Sequence, residues 1–102
     1  MLRTERSYIM KEINRILCCC MTGMGSSFLV AMNVKKVMES LGMEDVLVDH
    51  AGTYDAVPGA ADLFVCSADI YEECSRAGDA IPLEHLTDYE EVETKIKAYL
   101  NS

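Results

Sequence analysis

The chain has 102 residues, half of them apolar and a quarter charged, with a formal net charge of −8. One globular domain fits that length, against ~100–200 residues for a typical domain. The acid excess argues against nucleic acid or an anionic membrane surface as the main partner, because both need clustered Lys and Arg. No apolar run approaches the ~20 residues needed for direct membrane insertion.

Residues 1–12 are polar and mixed and read as a flexible N-terminal leader, leaving a single domain over 13–102. Met1 to Glu12 lacks the apolar core of a secretory signal, so the five cysteines are expected as reduced thiols in the cytoplasm rather than as a disulfide framework.

Ile13 to Cys19 has the apolar, partly β-branched character of a buried strand. The stretch Cys20-Met21-Thr22-Gly23-Met24-Gly25-Ser26-Ser27 follows it: a cysteine, a loop with two glycines, and two hydroxyls. From Ser26 to Leu41 the period is helical, with Val30, Val34, Val37, Met38 and Leu41 on one stripe, and Gly42 is the expected stop. Lys35 and Lys36 lie off that stripe; a solvated helix face is the preferred reading for them, over steering of acidic partners.

A strand that turns through glycines into a helix leaves backbone N–H groups around a concavity, and the helix dipole adds partial positive charge there. Such a cradle favours phosphate, and it favours thiolate over thiol in a cysteine set in its floor. Cys20 is therefore the candidate nucleophile, and Met21, Thr22, Gly23, Met24, Gly25, Ser26 and Ser27 are the candidate phosphate-binding residues. An ATP-type loop needs lysine before its hydroxyl residue, where Gly25 stands. A dinucleotide fingerprint needs a third glycine, where Phe28 stands. A cysteine-phosphatase loop needs arginine six residues after the nucleophile, and that position is Ser26. Hydrolysis would then lack its main electrostatic donor, so a thiophosphate is better held and passed on. No metal is expected at Cys18-Cys19-Cys20: adjacent strand residues face opposite ways, and no C-x-x-C or nearby histidine completes a site.

Val46-Leu47-Val48 reads as a short buried strand ending at Asp49-His50. His50 is then near the ligand-binding edge of the sheet, where a polar rim residue is preferred over a proton or phosphoryl participant. Ala51 to Ala61 is a loop or one short helical turn, from which Tyr54 and Asp55 could reach the cysteine loop. Leu63 to Cys66 is the next strand, and Ser67 or Asp69 caps a helix to about Ala77. Cys66 reads as a buried small hydrophobe, with a thiol that resolves oxidised Cys20 as the alternative. Ala80 to Leu83 is an edge strand on account of Pro82. The last helix starts at Thr87 or Asp88, each followed by a glutamate at capping-box spacing, and packs Val92, Ile96, Tyr99 and Leu100 inward. This alternation predicts an α/β three-layer sandwich with a four-stranded parallel sheet of order 2-1-3-4, the cysteine loop at its switch point.

The loop Cys20, Gly23, Gly25, Ser26, Ser27, the helix start Phe28 to Lys36 and the strand Ala61 to Ser67 resemble the enzyme IIB proteins of the phosphotransferase system. The loop spelling is closest to the ascorbate/galactitol type and more distant from the lactose/cellobiose type, with Met21 standing where glycine commonly follows the cysteine. The resemblance spans roughly residues 13 to 100. It implies a phosphoenolpyruvate-dependent, sugar-specific phosphocarrier with no cofactor. Cys20 would accept a phosphoryl group from a phosphohistidine on enzyme IIA and pass it to a sugar bound by the membrane component, enzyme IIC. A low-molecular-weight phosphatase-like hydrolase and a non-catalytic thiol-bearing regulatory domain are the competing expectations.

Overall fold

The structure, a computed structural model, describes residues 13–20 and 26–101; the 1–12 leader and the Met21 to Gly25 part of the cradle lie outside them. Strands β1 (Arg15–Cys20), β2 (Leu47–Gly52), β3 (Leu63–Ser67) and β4 (Ala80–Leu83) alternate with helices α1 (Ser26–Ser40), α2 (Tyr71–Ala77) and α3 (Tyr89–Leu100). All strands pair in parallel, in the expected order β2-β1-β3-β4.

The central strand β1 is buried on both faces, which is why its sequence is continuously apolar rather than alternating. Ile16 and Cys18 join the core under α1 and α3, with Val34 and Ile96 across from them. Leu17 and Cys19 point the other way and pack with Phe64, Cys66 and Cys74 beneath α2. Each fully buried side chain such as Ile16, Leu63 or Phe64 contributes about 1.5–3 kcal/mol relative to exposure.

The start of β1 is pinned from β3's side: the Asp62 carboxylate accepts the N–H groups of Asn14 and Arg15 at 2.8 and 3.1 Å. At the end of α1, the Met43 N–H donates to the Met38 carbonyl at 2.8 Å and the Gly42 N–H to the Glu39 carbonyl at 3.0 Å. That pair of bonds needs a left-handed residue, and Gly42 supplies it at φ 77°.

Several boundaries differ from the sequence reading, and the largest differences have physical causes. Strand β1 runs one residue further, to Cys20, because Gly52 of β2 pairs with it. Strand β2 continues through Asp49 and His50 to Gly52, since an edge strand tolerates polar side chains where periodicity reads a strand end. After β3 a 3-10 turn at Ala68–Ile70 precedes α2, and Ser67 makes no side-chain cap bond. The short connection between β2 and β3 holds only a 3-10 turn at Thr53–Asp55, and Leu47 at the start of β2 stays 62 % exposed. Strand β4 is the other edge and carries Pro82 as expected.

Candidate functional site

Cys20 is the last residue of the central strand and 7 % exposed, so its sulfur stands at the C-terminal edge of the sheet, where open parallel sheets bind ligands. Helix α1 begins six residues later at Ser26. Residues 21–25, between the strand and the helix, lie outside the described ones. The second residue of α1, Ser27, has no solvent exposure, and its hydroxyl has no hydrogen-bond partner. Among the described residues it is the one buried side-chain polar atom in that condition. A sealed hydroxyl at a helix start is a group awaiting a partner, because leaving it unpaired costs roughly 1–3 kcal/mol.

The pleat turns Cys19 to the face opposite Cys18 and Cys20. Cys18 faces the α1 and α3 core, where burial, with the Asp49 charge, pushes its thiol up to about 12. Cys19 is the register partner of Cys66 on β3. Both hydrogen-bond to Cys74 of α2, and that bond together with burial raises their pKa values well above the ordinary thiol range. Cys74, the shared acceptor of the two S–H groups, is pulled down against the effect of burial. The Cys66 thiol also donates to the Ile81 carbonyl at 3.7 Å. All three are sealed in the core, so this trio is a packing element with internal hydrogen bonds. Cys66 is thus paired with Cys19 rather than Cys20, in keeping with the preferred reading of it as a buried small hydrophobe.

His50 is exposed and pairs in register with Cys18, two residues short of Cys20 and Gly52. Its ring meets Phe28 of α1 edge-on, with centroids 5.6 Å apart. Tyr54 and Asp55 are exposed, and the Asp55 charge is felt by Cys19. Lys35 and Lys36 are exposed on α1.

The sequence reading did not single out one group that the fold assembles. Donor atoms of His85, Asp88 and Glu91 lie within 4.8 Å of one another, near enough to share a cation. Their carboxylates are already engaged. Asp88 caps α3 by accepting the Glu90 and Glu91 N–H groups at 3.0 and 3.4 Å. Glu91 accepts the Glu84 and His85 N–H groups at 2.7 and 2.8 Å and the Lys95 ammonium at 2.8 Å. The cluster is the folded start of a helix.

Among the described residues no helix is long and apolar enough to cross a membrane. Compared with curated proteins, the chain finds no match. The family model described as "PTS system, Lactose/Cellobiose specific IIB subunit" matches residues 15–98, from the first residue of β1 to within the last turn of α3. The description names the lactose/cellobiose type, the more distant of the two that the loop resembled, and gives no support to the ascorbate/galactitol type that the loop spelling favoured. With the order of its sheet and the span of that match, the chain belongs to the lactose/cellobiose-specific IIB subunit family of the phosphotransferase system, a family of sugar-specific phosphocarrier domains.

Proposed function

We propose that this protein carries phosphoryl groups on Cys20 in the cytoplasm, between a phosphohistidine of enzyme IIA and a sugar bound by enzyme IIC. The Cys20 thiolate attacks phosphorus in line; the S–P bond forms as the P–N bond breaks, and the imidazole leaves with the electron pair. A sugar hydroxyl then attacks the same phosphorus, losing its proton to a base, and the thiolate is regenerated. The work is positioning and charge stabilisation, as in other phosphoryl transfers. Amides of Met21 to Ser27 and the Ser26 and Ser27 hydroxyls hold the phosphoryl oxygens in this scheme.

The observation that carries the reading is the Ser27 hydroxyl, buried and without a partner at the head of the helix that follows the cysteine. A phosphoryl oxygen is the acceptor it lacks. The absence of arginine at Ser26 supports transfer over hydrolysis.

The test is a reconstituted sugar-phosphorylation assay with intact-mass analysis of the chain. Phosphate on Cys20 and loss of both labelling and sugar phosphorylation in Cys20→Ser is the expected outcome. Undiminished sugar phosphorylation in that variant, or rapid turnover of an aryl phosphate by the wild-type chain, overturns the reading.

A further inference from the structure

Resting on the phosphocarrier reading, we propose that the exposed face of α1 is the docking surface for the phosphohistidine donor protein, which meets it with an apolar patch rimmed by acidic side chains. Phe28, Leu29 and Met32 are 51, 45 and 43 % exposed. They fall at i, i+1 and i+4, so they share one side of the first two turns. The Phe28 ring rests on His50, which carries the patch across onto β2. A helix that only had to close the core would place polar residues there. Several large apolar side chains clustered on the surface, on the helix that follows the candidate nucleophile in the chain, mark an interaction surface.

Charge selects the occupant. One turn beyond Met32 the same face continues with Lys35 and Lys36, which are exposed and make no ion pair among the described residues. The lysines of α3 are used differently, since Lys95 and Lys97 are paired with Glu91 and Glu93. Glu39, the only acidic residue of α1, comes at the end far from Cys20. A chain of net charge −8 repels a partner that bears a phosphoryl dianion, so approach is favoured along a locally positive track. At 1.5 Å rise per residue, Lys35 and Lys36 lie roughly 14 Å along the helix from Ser26, at the rim of the contact rather than at the reacting atoms. The sugar acceptor is uncharged where it reacts, so this track serves the donor.

The experiment compares wild type with Leu29→Ser/Met32→Ser and with Lys35→Glu/Lys36→Glu. The donor is a lactose/cellobiose-class enzyme IIA charged from phosphoenolpyruvate through the general phosphotransferase proteins, and phosphate on Cys20 is followed by intact mass against donor concentration. In each variant kcat/KM for the donor falls about tenfold, through KM, with the lysine deficit shrinking at high ionic strength. Phosphorylation by phosphoramidate, a small N–P donor without a docking surface, keeps the wild-type rate. An unchanged KM in both variants, with wild type labelled normally, overturns the docking surface and leaves the carrier reading standing. A defect confined to transfer onward to the membrane component also overturns it and gives this face to the acceptor. A wild-type chain that takes phosphate from neither donor removes the carrier reading, and this inference with it. If either double variant fails to fold, as judged by circular dichroism, Met32→Gln and Lys36→Gln carry the same comparison.

Discussion

Ser27 and Cys20 set opposite demands on one short segment. In the proposed carrier the thiol has to be poised at a strand end, and the hydroxyl is held dry without a partner. Removing that hydroxyl relieves an unpaired polar group, so Ser27→Ala is expected to fold as stably as wild type or up to about 1–2 kcal/mol more stably. Under the proposed function the same variant loses a donor to the phosphoryl oxygens and is expected to phosphorylate Cys20 about 10²-fold more slowly. Urea titration and the labelling rate check the two halves, and a destabilised but fully active variant defeats the assignment. At this scale the sequence marked Cys66 as a buried small hydrophobe but did not say which thiols it would meet. The Cys19, Cys66 and Cys74 trio exists because β1 and β3 pair in one register and α2 crosses above them. No local pattern encodes such a meeting of residues so far apart in the chain.

The elements were legible where caps and breakers speak locally, and less so where pairing decides. Gly42 ends α1 and Asp88 caps α3 as their positions suggested. The glutamate three residues after Asp88 reads as the second half of a capping box, yet Glu91 turns back to the β4–α3 loop, accepts two of its N–H groups and binds Lys95. Lys95 in turn donates to the Pro82 carbonyl at 2.7 Å, so one carboxylate organises the edge strand, the loop and the helix. Burial opposes ionisation of Glu91, but these hydrogen bonds and the Lys95 charge outweigh it and hold the carboxyl at about 2, below its ordinary 4.5. A depressed carboxylate stabilises the fold fully above pH 4.5 and loses that contribution as pH falls through about 2. Glu91→Gln is accordingly expected to weaken folding by about 1–3 kcal/mol at neutral pH. Its stability should fall less steeply than wild type between about pH 5 and pH 2, which urea midpoints across that range measure. Strand β2 shows the other side: Asp49 and His50 read as the end of the strand, and only the partner strand reveals that the ladder continues to Gly52.

For the whole molecule, strand and helix alternation and the placement of β1 in the middle of the sheet followed from periodicity and the rules of parallel crossovers. The sugar class did not follow, since the loop spelling pointed to the ascorbate/galactitol type and the family description names lactose/cellobiose. The core beneath α2 is the thinner of the two, with one seven-residue helix over it and Phe64 as its largest side chain. Phe64→Ala is expected to cost about 3–5 kcal/mol, read from the urea midpoint. In a domain whose total stability is on the order of 5–15 kcal/mol, that brings the chain close to unfolding. Burial of β1 on both sides has a further result for how this chain tolerates length changes. Losing one of the three consecutive cysteines would exchange the sides taken by Ile16 and Leu17, yet each would still land among hydrocarbon neighbours. The shortened strand would again close on a sulfur, so a deletion that ruins an ordinary one-sided strand should leave this one folded.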